Sequence, residues 1–154
     1  MFIMPKDGWI LIAEDSPSEA EDVVCWLREA GVRNRIVLVN TGAQALSCLR
    51  KEGRFINRPP GDPLFVLLKL RLPVYDAVSV LRTIKEDMDM MHLPVVIYAR
   101  SVSRQHLEAA YVWGVNGYLV KPRSPRKKAR VLGSVGQFWA ITNIHPGNRL
   151  NARS

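Results

Sequence analysis

The sequence predicts a doubly wound, five-stranded parallel α/β sheet. Three observations carry that expectation: five short runs are apolar at every position, amphipathic helical stretches separate them in strict alternation, and the connections are mostly short. A run that is apolar throughout suits a strand covered on both faces. Strict alternation of strand and helix gives parallel strands joined by right-handed crossovers.

The first run is Trp9–Ala13. Behind it, Ser16 and Glu19 read as a capping box, and Pro17 suits a first helical turn. Ala20, Val23, Val24 and Leu27 then fall on one helical face, and Gly31 ends the helix. Ile36–Val39 is the second run. Thr41 and Gln44 repeat the capping signal before Ala45, Cys48 and Leu49. Cys25 and Cys48 both read as apolar filler on helix stripes. Gly53 to Pro63, rich in Gly, Pro and Arg, reads as an exposed loop. Leu64–Leu68 is the third run, followed by the stripe Ala77, Val80, Leu81 and Ile84. Val95–Tyr98 is the fourth, followed by Leu107, Ala110, Tyr111 and Gly114. Trp113, at a helix end, reads as core or rim packing. Tyr118–Val120 is the fifth, followed by Val131, Leu132, Val135, Phe138 and Trp139.

The chain has 154 residues, 47% of them hydrophobic and 23% charged. That composition excludes a disordered, collagen-like or coiled-coil chain and fits one domain, which we place at residues 1–143 with a C-terminal tail over 144–154. No run approaches the roughly 18 apolar residues of a membrane span, and the start carries no secretory signal. The two cysteines lack metal-ligand spacing and fit a reducing cytoplasm. His92, His106 and His145 are isolated from one another in sequence. The net charge of +8 permits an acidic partner of several kinds. Six cations, Lys121, Arg123, Arg126, Lys127, Lys128 and Arg130, fall within ten residues. They read as a solvated helix start or as a docking patch for an acidic partner. Nucleic acid is disfavoured, because no helix-turn-helix or aromatic-interleaved pattern accompanies them.

In doubly wound sheets ligands bind beyond the carboxyl ends of the strands. The residues there are Glu14, Asp15 and Ser16 after the first strand, Lys69 and Arg71 at the third, Ala99 and Arg100 at the fourth, and Lys121 with Pro122 after the fifth. The blocks ILIAEDSPSEAEDV, VLLKLRLPVYDAVSVLRTIK, LPVVIYARS and GVNGYLVKP resemble the four motif blocks of a response-regulator receiver domain. The resemblance covers roughly residues 8 to 140 and implies a flavodoxin-like strand order 2-1-3-4-5. The ending GSVGQFWAITNIHP is similar to that of single-domain regulators serving bacterial phytochrome-type histidine kinases.

The resemblance also implies a chemistry. In the family, an acidic pair and an Asp at the end of the third strand hold Mg²⁺, and that Asp accepts a phosphoryl group from a kinase histidine. A Thr or Ser and a Lys then bind the phosphoryl oxygens. Glu14 and Asp15 match the pair, Lys121 matches the Lys, and Tyr118 matches the aromatic that rearranges on activation. Lys69 stands where the acceptor Asp is expected, and Ala99 where the hydroxyl is expected. A lysine amine cannot supply the acyl-phosphate route, and a cation beside Mg²⁺ opposes its binding. We therefore expect no cofactor, lost Mg²⁺ binding and no enzymatic activity. The Lys69 ammonium is expected in the metal's place, bonded to Glu14 or Asp15. The implied function is a pseudo-receiver acting by protein contact on a sensor histidine kinase of phytochrome type. Phe138, Trp139 and Ile141 are candidates for a homodimer surface. Alternative readings are phosphorylation at another carboxylate such as Asp15 or Asp76, or a basic nucleic-acid-binding protein. A nucleotide- or flavin-binding protein is a further class, with no Gly-rich strand-to-helix loop to support it.

Overall fold

The structure is a computed structural model that describes residues 7–146. Its strands are Trp9–Ala13 (β1), Arg35–Val39 (β2), Val66–Lys69 (β3), Val95–Ala99 (β4) and Gly117–Val120 (β5). Its α-helices are Pro17–Glu29 (α1), Gly42–Leu49 (α2), Ala77–Glu86 (α3), Arg104–Val112 (α4) and Pro125–Gly136 (α5). The strands form one parallel sheet in the order β2-β1-β3-β4-β5. The doubly wound architecture expected from the sequence is the one observed.

Successive strand side chains point to opposite faces, so each apolar run feeds two cores. Leu11, Ala13, Val66, Leu68, Val95 and Ile97 pack with the stripes of α2 and α3. Ile10, Ile12, Leu67, Val96 and Tyr98 pack with Val23 and Leu27 of α1 and Leu132 of α5. Strands β1 and β4 are buried along their whole length. The edge strands are not, and Leu38 and Val120 reach solvent because an edge has a neighbour on one side only.

The end of α1 shows how local sequence sets geometry. Gly31 takes a φ of 93°. Its N–H donates to the Arg28 carbonyl, and the Val32 N–H donates to that of Leu27. This Schellman arrangement needs the left-handed backbone that glycine adopts freely, and it turns the chain toward β2.

Several expectations are corrected. The Gly53–Pro63 segment is exposed only in part: Gly53, Arg54, Ile56, Asn57 and Pro60 reach solvent, while Phe55, Pro59, Asp62 and Pro63 are buried. Phe55 is buried in a 3₁₀ turn over Gly53–Phe55. Arg58 donates to the carbonyls of Cys48, Leu49, Pro59 and Gly61 at 2.6–3.1 Å and lies 5.0 Å over the Trp9 ring. A half-buried guanidinium can bind several backbone oxygens at once, which pins a loop that composition alone marks as free. Cys25 is exposed and bonds Glu29, whereas Cys48 is buried as expected. On α4 only Ala110 of the expected stripe is buried, and Tyr111 is exposed. Helix α5 passes into a π-helical turn over Gln137–Thr142, which rotates the residues that follow off the α-helical stripe.

The histidines are not all isolated in space. His92 Nε2 lies 2.6 Å from Asp62 Oδ2, and the buried His145 packs beside this pair. Burial pushes the His145 imidazole below its ordinary value. A folded pKa below the unfolded one favours the neutral ring in the fold. That stability is complete above about pH 6.5 and is lost as pH falls through the folded value. We expect the melting temperature to fall between about pH 7 and pH 5, and H145Q to flatten that slope. Identical slopes in thermal melts of the two proteins would contradict this. Among the described residues no helix is long and apolar enough to cross a membrane.

Candidate functional site: opposed charges at the carboxyl end of the sheet

Strand β1 ends at Ala13 and delivers Glu14 and Asp15 to the carboxyl edge. Ser16 caps α1 by accepting from the Glu19 N–H, with Pro17 in the first turn. Glu19 does not complete the expected capping box. Glu14 Oε2 takes the Ser16 N–H instead, at 3.0 Å, which leaves the Glu19 carboxylate free to turn over the strand ends. Strand β3 ends on Lys69, paired in register with Tyr98 of β4. The Lys121 N–H donates to the Ala99 carbonyl at 2.7 Å, which places Lys121 beside the end of β4.

The loop after β3 is held from the side. Gly42 N–H donates to the Pro73 carbonyl and Ala43 N–H to that of Val74. Val74 and Tyr75 take φ values of 44° and 72°. A Cβ on Gly42 would sit 1.9 Å from the Tyr75 carbonyl oxygen, so only glycine lets α2 dock so closely on this loop.

These elements bring three carboxylates around one ammonium. Lys69 Nζ donates to Asp15 Oδ1 at 2.9 Å, Glu14 Oε2 at 3.1 Å and Glu19 Oε2 at 3.2 Å. An ammonium has three N–H donors, and each here has its own carboxylate. Glu14 also accepts the Tyr98 hydroxyl at 2.8 Å. Glu19 Oε1 lies 3.3 Å from both Lys121 Nζ and Arg100 Nη2. Lys121 Nζ lies 5.6 Å from the Tyr98 ring centroid, within cation–π range.

Burial divides the carboxylates. The Glu14 side chain is fully buried, while Asp15 keeps 39% of its exposure. Burial pushes Glu14 above the usual carboxylate range, against the pull of the Ser16 N–H, the Tyr98 hydroxyl and the Lys69 ammonium. Burial also acts to raise Glu19, but the neighbouring Glu14 carboxyl, Lys69 and Lys121 reverse it and hold Glu19 at about 2. Burial disfavours the Lys69 ammonium, yet the bonds to Asp15, Glu14 and Glu19 outweigh that and raise its pKa. Tyr98 is likewise raised, by burial and by the adjacent Glu14 charge.

A divalent cation does not fit this cluster. Mg²⁺ requires oxygen ligands in near-octahedral array. The oxygens that converge here are already bonded to a cationic nitrogen within 3.2 Å. Above the ammonium opens a cleft of about 340 Å³, walled by Arg71, Ala99, Arg100, Ser101, Ser103 and His106.

Of the residues singled out from the sequence, Glu14, Asp15, Lys69, Ala99 and Lys121 meet at this one place. Tyr118 does not line the cleft. It lies on β5 in register with Ile97, and its buried hydroxyl has no hydrogen-bond partner among the described residues. Phe138, Trp139 and Ile141 lie away from the cleft, on the π-helical turn. Phe138 and Ile141 are about half exposed, whereas Trp139 packs partly against the α1–α5 core. Sequence reasoning missed Glu19 and Tyr98 as members of the site, and named Arg100 only by its place after the fourth strand. Glu19 was absorbed into the capping signal, although it follows Asp15 by one helical turn. Tyr98 was absorbed into an apolar run, although its hydroxyl needs a partner once buried.

Comparison with known proteins places the fold. The profile of the response regulator receiver domain matches residues 10–131. The response regulator Rcp1 of Synechocystis sp. is 30% identical over 137 residues, covering 89% of this chain and 92% of that protein. The crystal structure of the phosphorylated cyanobacterial phytochrome response regulator RcpA superposes with a TM-score of 0.83 at 28% identity, covering 90% of this chain and 98% of that one. The Mn²⁺-bound form of Rcp1 superposes with a TM-score of 0.82 at 29% identity, covering 90% of this chain and 99% of that one. Sheet order, the strand-end residues and a profile match over most of the length lead to one family, and the chain belongs to the response-regulator receiver domains.

Proposed function

We propose that this chain is a pseudo-receiver, which acts by protein–protein contact and accepts no phosphoryl group. The observation that carries the reading is the Lys69 ammonium bonded to Glu14, Asp15 and Glu19 together. On the resemblance, Lys69 occupies the acceptor position and its ammonium the metal's place. An amine gives no acyl phosphate, and its charge repels the divalent ion that would assist transfer. Ala99 supplies no hydroxyl to a phosphoryl oxygen. The other acceptors considered are engaged: Asp15 is bound to Lys69, and Asp76 caps α3 by accepting from the Ser79 N–H at 2.9 Å.

The partner in this reading is a sensor histidine kinase of phytochrome type, met in the cytoplasm. Support comes from the similarity to Rcp1 and to the phytochrome response regulator RcpA. Half-exposed Phe138 and Ile141, with exposed Ile144 after them, support self-association through the segment beyond α5. Residues 147–154 of the tail lie outside the described residues.

Calorimetric titration with the histidine-bearing domain of a phytochrome-type kinase tests the reading. Saturable binding should appear, with an affinity that neither Mg²⁺ nor a phosphoryl donor changes. Absence of binding across such kinases would remove the proposed partner.

A further inference from the structure

The cleft above Lys69 is larger and more cationic than the charge cluster beneath it requires. Lys69, Arg71, Arg100 and Lys121 line it, with Asp15 and Glu19 in the same lining and the buried Glu14 bonded to Lys69. Lys69 is saturated by its carboxylates. Arg71 makes no ion pair among the described residues. Arg100 has a single 3.3 Å contact, to Glu19, and keeps 79% of its side-chain exposure.

The start of α4 lies along the same wall. Ser103 caps the nine-residue α4 by accepting from the His106 N–H, and the helix's first turn lies along the cleft. The partial positive charge of a helix start favours an anion there. His106 lines the same wall, and its buried Nδ1 has no hydrogen-bond partner among the described residues. Ala99 lines the cleft with a methyl group. About 340 Å³ lies within the range of small-molecule sites.

We propose that this cleft binds a free small molecule carrying a phosphate monoester, with the phosphate seated on Arg71, Arg100 and His106 against the start of α4. Guanidinium forks and a helix N-terminus match phosphate oxygens. The ligand binds without covalent transfer. The inference therefore rests on the preceding reading, that no phosphoryl group is accepted, and adds to it a small-molecule effector acting from the same cleft.

The test is an amide NMR titration of the full chain with phenyl phosphate, beside inorganic phosphate, at fixed ionic strength. Saturable shifts at residues 99–106 are expected. Tighter binding of phenyl phosphate than of inorganic phosphate would show that the organic body is held as well. R100A and H106A should each weaken binding tenfold or more, R100K should restore part of it, and R126A, on α5 outside the cleft, should leave it unchanged. Shifts that never saturate would overturn the site, as would an R126A loss equal to that of R100A. Intact mass of the titrated sample separates the two readings. A phosphoryl mass gain overturns the pseudo-receiver, whereas unchanged mass without saturation overturns only the anion site.

Discussion

Lys69→Met should destabilise the fold by about 3 kcal/mol at neutral pH, the lower end of the range for breaking a buried pair from one side. Lys69 keeps 17% of its side-chain exposure, while Glu14 keeps none. Removing the ammonium leaves Glu14, Asp15 and Glu19 facing one another, with Lys121 and Arg100 touching Glu19 alone. The variant can relieve this only by holding a proton on Glu14, whose folded pKa is already raised by burial. A raised carboxyl pKa means stability lost as pH rises through the unfolded value, so the variant should suffer most at neutral pH. The parent behaves oppositely on the acid side. Glu19, held at about 2 when folded, contributes stability that is complete above its ordinary 4.5 and is lost as pH falls from 4.5 toward 2. Urea unfolding of both proteins at pH 7 and pH 4 should therefore show the gap narrowing in acid. Equal stability at pH 7, or a gap independent of pH, would show that the ammonium does not hold the cluster together.

Lys69→Asp has the larger functional consequence. The substitution exchanges the central cation for a carboxylate and leaves oxygen ligands converging on the point the ammonium held. Divalent cations should then stabilise the folded state, by about 2.7 kcal/mol at a hundredfold excess over Kd. The parent's melting temperature should not move with millimolar Mg²⁺. A variant no more responsive than the parent would mean that Lys69 is not what keeps the ion out.

The fold was legible because burial dictates composition. Trp9–Ala13 and Val95–Ala99 are covered on both faces, so their polar side-chain groups are two: the Trp9 indole N–H, which donates to the Gly61 carbonyl at 3.0 Å, and the Tyr98 hydroxyl, which belongs to the site. The edge strands carried the same apolar signal and are partly exposed, since periodicity cannot report how many neighbours a strand has. The strand-end residues Glu14, Asp15, Lys69, Ala99 and Lys121 were legible because parallel topology gathers such positions at one edge. Glu19 was not, because a carboxylate three residues after a capping serine has two possible partners. Only the tertiary position of Lys69 and Lys121 decides between them. Arg58 and the Asp62–His92 pair were hidden for the same reason. A loop rich in Gly, Pro and Arg reads as open until its guanidinium finds buried carbonyls.

The central claim is that no phosphoryl group can be accepted while Lys69 ties Glu14, Asp15 and Glu19 together. Intact mass after incubation with Mg²⁺ and acetyl phosphate, measured for the parent and for Lys69→Asp side by side, tests it most directly. The account predicts an unchanged parent beside a variant that gains a phosphoryl group. A parent that gains one would contradict it and make this chain a working phosphorelay receiver with its acceptor elsewhere.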